Sequence, residues 1–204
     1  MYLSPIMDAE EPIIAYGQLN PEGTYTYLDY LKWQFKERVE LIRGKIFKMS
    51  PAPGSLHQRV SFKLGVSLDK YFGGKPCSIF QAPFDVRLPI PNENKDSTVV
   101  QPDLCIICDE SKIDPCGCNG APDLVVEILS PGNSRHEMGT KFALYQESGV
   151  KEYWMVEPAE KVIFVYTLRQ GRYIGLRPFV EGMAVESPLF PELRVMVADV
   201  FAEV

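Results

Sequence analysis

Hydrophobic runs along the chain predict strands and helices that alternate. Nearly continuous apolar runs at residues 98–108 and 122–129 are typical of strands buried on both faces, and residues 78–88 form a third strand candidate. The longest runs therefore indicate the centre of a sheet. Shorter strands are predicted at residues 39–42 and 45–49, which the turn Arg43-Gly44 joins, and at residues 153–156 and 162–168.

Three segments, residues 26–36, 55–73 and 134–149, have the hydrophobic spacing of helices. Each begins with Ser or Thr, followed three residues later by an acid or a glutamine, which is the pattern of a capping box. These pairs are Thr26 with Asp29, Ser55 with Gln58 and Ser134 with Glu137. The predicted buried faces carry Leu56, Val60, Leu64 and Tyr71 in the second helix, and Met138, Phe142 and Tyr145 in the third.

The length of the chain indicates one domain, because 204 residues bury a sizeable core but are few for two. Residues 89–97 are interpreted as a polar loop within that domain, and residues 1–23 as an irregular segment. Beyond Gly171, prolines break the apolar pieces, so only edge structure is expected there. We predict a single domain of the α/β (α+β) class, with a central mixed sheet flanked by helices.

Charge and hydropathy restrict the partners of the protein. A net charge of −6 works against general nucleic-acid binding, which depends mainly on Lys and Arg neutralising phosphates. Any such binding must therefore use local basic patches. Residues 1–14 lack a cationic segment followed by an apolar core, and no apolar run is long enough to span a bilayer. We expect a cytoplasmic protein without a membrane partner.

The cysteines are interpreted as reduced thiols, because an odd number without a small secreted scaffold argues against a disulfide framework. Cys105 and Cys108 are three positions apart, so on one strand they would point to opposite faces and could not readily chelate one zinc ion. The five cysteines are Cys77, Cys105, Cys108, Cys116 and Cys118.

Two acids stand where buried strands are predicted. Glu127 lies inside the apolar run 122–129, where an ionised carboxylate is costly unless a cation faces it. Asp103 lies where another apolar strand begins, so the two carboxylates could converge if these strands are neighbours. Convergent carboxylates suit Mg²⁺, which takes one or two protein acids beside substrate phosphates. The alternative is structural, with Asp103 capping a strand and Glu127 paired with a buried Lys or Arg.

Lys141 borders the buried stripe of the third predicted helix, because it follows Met138 by three residues and precedes Tyr145 by four. Its ammonium group could therefore reach inward. The alternative is a surface pair with Glu137 at i,i+4 spacing, which contributes about 0.2–0.5 kcal/mol. Spacing alone favours the surface pair.

A series of motifs runs along the chain in a recognisable order. The central ones are QPD at residues 101–103 and PDLVVEILSP at residues 122–131. The others are VELIRG at 39–44, MSP at 49–51, HQ at 57–58, Lys141, Tyr145, GV at 149–150 and EYW at 152–154. Together they resemble the Uma-type family of restriction endonucleases, within the PD-(D/E)xK nuclease superfamily. The resemblance covers about residues 26–168 and implies a restriction-endonuclease-like core.

The resemblance assigns a metal site. It implies that Asp103 and Glu127 bind Mg²⁺, with Mn²⁺ as an alternative, and that the backbone carbonyl of Ile128 is a further ligand. Glu40 matches the supporting first acid of the family. Without the resemblance, the alternation of Glu40 with apolar neighbours would indicate the solvent face of an edge strand.

The resemblance also assigns the cation of the site. The usual lysine position of the superfamily, two residues after Glu127, holds Leu129, and in Uma-type sequences the lysine comes from the next helix, here Lys141. Lys141 is then expected to orient the attacking water and to offset charge in the transition state.

Basic residues on the second predicted helix are candidates for substrate binding. His57 could position the phosphate or the water, although a packed, hydrogen-bonded histidine is the alternative. Arg59, Lys63 and Lys70 share one side of the helix and could follow a phosphate backbone, or they could form a solvated stripe.

The predicted function is that of a Mg²⁺-dependent endodeoxyribonuclease whose partner is DNA. A homodimer is expected, because cutting two strands takes two sites. One alternative is a catalytically inactive nucleic-acid or protein-binding module on the same fold. Another is an interaction module whose acids form internal ion pairs.

Overall fold

A computed structural model describes residues 16–34, 36–49, 53–93, 96–130 and 135–202, without the side chains of 135–137. The helices are α1 (Tyr27–Lys32), α2 (Ser55–Phe72), α3 (Arg135–Ser148) and α4 (Val197–Val200). The strands are β1 (Val39–Ile42), β2 (Lys45–Lys48), β3 (Ser78–Gln81), β4 (Val86–Arg87), β5 (Val99–Val100), β6 (Leu104–Ile107), β7 (Ile113–Asp114), β8 (Gly117–Asn119), β9 (Leu124–Ile128), β10 (Glu152–Glu157), β11 (Val162–Arg169), β12 (Arg172–Gly175), β13 (Ala184–Glu186) and β14 (Arg194–Met196). Within these ranges, no helix has the length and apolar character to cross a membrane.

The strands form two mixed six-stranded sheets and one hairpin. The fold is therefore α+β as predicted, but it has two large sheets, whereas a single central sheet was expected. The central sheet has the order β12-β11-β10-β9-β6-β3, and the second sheet has the order β2-β1-β5-β4-β8-β7. Strands β9 and β10 are parallel and α3 connects them, which is the geometry of a βαβ unit. This unit places α3 against the central sheet.

Two predicted strands are each divided between the sheets. The segment 78–88 separates into β3 and β4 around Pro83, and the segment 98–108 separates into β5 and β6 around Pro102. Proline has no backbone N–H and cannot donate to a ladder, so it favours a break at these points. The prediction of two continuous strands was therefore wrong.

The central sheet has two packed faces. On one face, Leu124 and Val126 of β9 pack with Val60 and Leu64 of α2. On the other face, Val125 packs with residues of α3. Because side chains alternate along a strand, odd-numbered positions of β9 face α3. The prediction that the core lies at β6 and β9 is confirmed by their complete burial outside Glu127.

Helix α2 begins and packs differently from the prediction. Its N-cap is Gly54, which makes no side-chain cap hydrogen bond, so the Ser55–Gln58 capping box is wrong. Leu56 is 41% exposed, because the buried face is turned toward other residues. These residues are His57, Val60, Leu64, Leu68 and Phe72.

The other predicted helices are confirmed with different ends. Thr26 caps α1 through the predicted box with Asp29, but α1 ends at Lys32, because Trp33 is extended and its ring contacts Tyr25 at a centroid distance of 5.3 Å. Helix α3 is confirmed as far as Ser148, whereas the predicted cap at Ser134 lies outside the described residues.

The chain beyond Gly171 contributes more than edge structure. Strand β12 is an edge strand of the central sheet, as expected. The hairpin β13–β14 and α4 pack on α2, with Val185, Val195 and Val200 completely or almost completely buried in the same cluster. This part of the chain therefore covers the α2 side of the core.

Cys77 and Cys108 form a disulfide, so the expectation of reduced thiols is wrong for this pair. The pairing of Ser78 with Ile107 continues to Cys77 and Cys108, whose Cα atoms are 3.9 Å apart. The register of β3 and β6 thus brings two distant cysteines face to face. Cys105, Cys116 and Cys118 are free thiols.

Candidate active site

The register of two central strands places Asp103 beside Glu127. Strands β6 and β9 are antiparallel with Leu104 opposite Val126, so the next pair in this register is Asp103 and Glu127. Directly opposite residues have Cβ atoms about 4.5–5.5 Å apart. Glu127 is also in register with Met155, which packs on the α3 side of the sheet. The two predicted acids are therefore brought together beneath α3.

One carboxylate oxygen holds Asp103 in place. Its Oδ2 accepts a hydrogen bond from the backbone N–H of Ile128 at 2.7 Å and lies 3.2 Å from Nε2 of His57. Burial lowers the pKa of His57, but the hydrogen bond and the negative charge of Asp103 outweigh burial and raise this pKa above its ordinary value. Nδ1 of His57 is buried without a partner among the described residues.

Glu127 has a side chain that is 12% exposed, and it also uses one oxygen. Its Oε1 accepts hydrogen bonds from Lys141 Nζ at 3.0 Å and from Tyr145 Oη at 2.5 Å. Burial raises the pKa of Glu127 to about 7, and the charges of Asp103 and Glu40 add to this effect against the attraction of Lys141. Among the described residues, Lys141 is thus the lysine that faces these acids, and His57 faces Asp103.

Lys141 joins the two sheets. Its Nζ lies 2.9 Å from Oε1 of Glu40 on β1 as well as 3.0 Å from Glu127. Burial lowers the pKa of Lys141, but the two carboxylates outweigh burial and raise it, so the ammonium group stays charged. The side chain points into the core, which overturns the simple interpretation of Lys141 as a surface residue.

Glu40 is a buried residue of an interior strand. Strand β1 lies between β2 and β5, and Glu40 is only 4% exposed, so it does not lie on the solvent face of an edge strand. Its Oε1 accepts a second hydrogen bond from the backbone N–H of Gln101, at 2.9 Å. The segment that carries Asp103 therefore also holds Glu40 in place.

The donor set fits a hard divalent cation. The donors from His57, Ile128, Lys141 and Tyr145 contact Oδ2 of Asp103 and Oε1 of Glu127, so each acid can offer its second oxygen to another ligand. Across the described ranges, no group of three or more His, Cys, Asp or Glu side chains is arranged to hold a metal ion. Two carboxylates are enough for Mg²⁺, because it usually keeps several waters.

A known protein family matches most of this chain. Residues 27–198 match the family model described as "Uma2: Putative restriction endonuclease". The chain belongs to the Uma2 family. The match covers the central sheet and the C-terminal hairpin and ends within α4.

Two individual proteins are similar to this Uma2 chain. An uncharacterized protein, slr1290, from Synechocystis sp. is 27% identical over 163 residues, which cover 78% of this chain and 80% of the relative. The crystal structure of a putative nuclease belonging to DUF820 from Anabaena variabilis has a TM-score of 0.66 and 22% identity, and the match covers 87% of this chain and 97% of that one. The second similarity shows a shared fold.

The predicted basic residues of the Uma2 chain lie in different places. His57 contacts Asp103, but Lys63 donates a hydrogen bond to the backbone carbonyl of Ala202 at 2.5 Å, at the end of α4. Arg59 is exposed, and Lys70 lines a surface groove with Phe62 and Ile79. The structure therefore brings His57 to the acids and leaves the other three along the outside of α2.

Two residues of the site were not predicted. Tyr145 was assigned to the apolar stripe, yet its hydroxyl is a donor to Glu127, and it follows Lys141 by one helical turn. Gln101 was noted only as part of a motif, yet its backbone holds Glu40. For Tyr145 the usable signal was its position four residues after Lys141, which puts the two side chains on one face of a helix. The contact of Gln101 uses its backbone N–H, so no side-chain pattern marks it.

Proposed function

We propose that this Uma2 protein is a metal-dependent endonuclease that hydrolyses phosphodiester bonds in DNA. The observation that carries the proposal is the cross-strand placement of Asp103 and Glu127, with Lys141 3.0 Å from Glu127. Two acids and one cation on rigid elements provide both a metal site and a positive group for a phosphate. Membership of the family of restriction endonucleases supports the same chemistry.

The residues have separate roles in this proposal. Asp103 and Glu127 would hold Mg²⁺ or Mn²⁺, and the backbone carbonyl of Ile128 is proposed as a further ligand. When bound, such a cation lowers the pKa of a water and polarises the phosphate. Lys141 has three N–H donors and uses two on Glu40 and Glu127, so the third can face a phosphate oxygen or a water.

Glu40 and Tyr145 support these groups. Glu40 holds the ammonium group of Lys141 from the second sheet, and Tyr145 fixes the oxygen of Glu127 that Lys141 also contacts. Each contact restricts the rotation of a long side chain, which keeps the charged groups in one arrangement. We therefore assign both residues to positioning.

A cleavage assay tests the proposal. Single-stranded, duplex and branched DNA are incubated with the protein in Mg²⁺, in Mn²⁺ and in EDTA, and the products are separated by gel electrophoresis. Metal-dependent cleavage is expected, with loss of activity in Asp103→Asn and in Lys141→Met. Glu186→Gln, which neutralises an exposed acid on β13, is the matched control and should cleave like the wild type. Equal activity in all four proteins contradicts the proposal.

A homodimer is the second part of the proposal, because one chain carries one site and a duplex has two strands. Sedimentation velocity measures the state of the protein with and without duplex DNA. A dimer is expected on the duplex, and a monomer at every protein concentration would refute this part alone.

A further inference from the structure

Arg38 lies next to the acid cluster without belonging to it. Its Nη2 donates a hydrogen bond to Oε1 of Gln101 at 2.8 Å, and the backbone N–H of Gln101 donates to Glu40 at 2.9 Å. Gln101 therefore connects the guanidinium of Arg38, through its side chain, with the carboxylate of Glu40, through its backbone. Arg38 is half-buried, so part of its side chain faces solvent.

The strand geometry turns Arg38 toward the site. The backbone N–H of Met49 donates to the carbonyl of Arg38 at 2.9 Å, which extends the β1–β2 ladder by one residue. Side chains two positions apart on a strand share a face, so Arg38 and Glu40 project from the same face of β1. Arg38 is thus two residues from Glu40 on the same face, and its side chain is partly exposed to solvent.

The charges near the site create a need for a further cation. Among the described residues, Lys141 contacts Glu40 and Glu127 and His57 contacts Asp103, so two basic groups face three acids and a phosphodiester would meet negative charge in the absence of a metal ion. Several other cations are already engaged: Arg43 with Glu93 and Glu147, Arg87 with Asp114, Lys151 with Asp123, and Lys63 with a backbone carbonyl. Arg38 forms no ion pair with any described residue, and Gln101 takes only one of its five N–H donors.

Gln101 holds the guanidinium in a defined orientation. Its Nε2 donates to Oδ1 of Asp85 at 2.8 Å and to Oη of Tyr30 at 3.2 Å. Because a carboxylate accepts from the NH₂ end, the carbonyl end of the Gln101 amide must face Arg38. A side chain that is fixed at one nitrogen and open at the others is suited to a bidentate contact with phosphate oxygens.

We propose that Arg38 binds a backbone phosphate of the DNA strand that enters the site, and that Gln101 positions it. The inference rests on the proposed nuclease function. It names a substrate contact on the β1–β2 hairpin, away from the basic residues of α2. Arg38 neutralises one phosphate next to the acids. Gln101 holds the guanidinium at one nitrogen, so that the other N–H donors of Arg38 can contact this phosphate.

Binding measurements with a matched pair of arginine variants test the proposal. A fluorescein-labelled DNA duplex is titrated with protein in Ca²⁺, and anisotropy is recorded over a range of salt concentrations. Arg38→Ala should weaken binding about tenfold and reduce the slope of log K against log salt by about one. Arg172→Ala removes the same charge from the exposed edge strand β12 and should bind like the wild type.

A Gln101 variant separates positioning from charge. Gln101→Ala keeps the charge of Arg38 but releases its side chain, so binding should weaken while the salt slope stays unchanged. Circular dichroism melting curves of the variants show that each is folded. The proposal is overturned if the wild type does not bind the duplex, or if Arg38→Ala has the affinity and salt slope of Arg172→Ala.

The outcomes distinguish this inference from the nuclease proposal. Loss of binding in Arg38→Ala together with no cleavage by the wild type in Mg²⁺ or Mn²⁺ supports the contact and refutes the nuclease. Metal-dependent cleavage that Asp103→Asn abolishes, with Arg38→Ala equal to the wild type in binding, refutes the contact and leaves the nuclease standing.

Discussion

Two glutamates in the interior of the central sheet, Glu127 of β9 and Glu152 of the neighbouring parallel strand β10, are held in different ways. Glu152 is completely buried and accepts hydrogen bonds from Trp154 Nε1 at 2.7 Å, Ser187 Oγ at 3.0 Å and the backbone N–H of Leu189 at 2.9 Å. These donors are neutral, and they occupy both carboxylate oxygens. Glu127 has a cation and a tyrosine on one oxygen and two further acids nearby.

The difference shows that burial alone does not identify a site. Burial raises the pKa of both glutamates. The neutral donors around Glu152 satisfy both oxygens of its carboxylate. Glu152 therefore has a structural role, which is to anchor the segment around Ser187 to the central sheet. The donors to Glu127 contact one of its two oxygens, and its neighbours are charged. This arrangement is expected for a carboxylate that binds a further ligand.

The largest predicted effect separates the two glutamates by activity. Glu127→Gln keeps the shape of the side chain but removes a proposed metal ligand, so the rate of DNA cleavage should fall by about a hundredfold or more. Glu152→Gln should cleave within about threefold of the wild type, because its carboxylate lies on the other face of the sheet. Rates are measured under single-turnover conditions. Equal losses of cleavage rate in both variants would contradict the different roles assigned to Glu127 and Glu152.

The second prediction compares two lysines that pair with acids. Lys141→Met leaves Glu40 and Glu127 buried without a cation and should lower the free energy of unfolding by about 3–5 kcal/mol. Lys151, whose side chain is 58% exposed, pairs with Asp123, and Lys151→Met should cost less than about 1 kcal/mol. Urea unfolding at neutral pH measures both values. A Lys141→Met protein as stable as Lys151→Met would contradict the buried charge network.

The third prediction concerns the structural role of Glu152. Glu152→Ala leaves three buried donors without an acceptor and should lower the free energy of unfolding by about 2–4 kcal/mol. Hydrogen exchange of the Leu189 amide should increase more than that of the β9 amides. Unchanged protection at Leu189 would show that Glu152 does not fasten this segment.

The smallest predicted effect is a pH dependence from Glu152. Burial raises its pKa above the ordinary value of 4.5, so above pH 4.5 the folded protein keeps a proton that the unfolded chain has lost. The free energy of unfolding should therefore decrease as the pH rises through the window between 4.5 and the raised pKa of the folded state. Glu127 contributes a decrease of the same sign in both proteins, so the wild type should show a steeper decrease than Glu152→Gln in urea titrations at several pH values. Identical slopes would contradict the raised pKa.

Local pattern predicted the elements of the site better than their arrangement. The apolar run of β9 and the stripe of α3 were strong enough to define both elements. The β1–β2 hairpin of the second sheet was predicted, but two-residue strands such as β4 and β5 are formed by tertiary pairing, so no local signal shows that they extend this hairpin into a six-stranded sheet. The division of long segments at Pro83 and Pro102 could have been read from the absence of a backbone N–H.

The placement of side chains depended on contacts that are distant in sequence. Spacing favoured a surface pair for Lys141, because the buried partner Glu40 lies 101 residues away and only folding brings the two together. Glu40 itself alternates with apolar residues like an edge-strand residue, yet β5 covers its strand. The disulfide of Cys77 and Cys108 likewise follows from the register of β3 and β6 rather than from cysteine spacing.

The central claim is that Asp103 and Glu127 together hold a divalent cation, whereas Glu152 does not. Calorimetric titration of the protein with Mn²⁺ tests it directly, without DNA or turnover. The wild type and Glu152→Gln should bind Mn²⁺ with the same affinity, and binding should be lost in Asp103→Asn and in Glu127→Gln. A wild type that binds no Mn²⁺, or an Asp103→Asn protein that binds it equally well, would contradict the account.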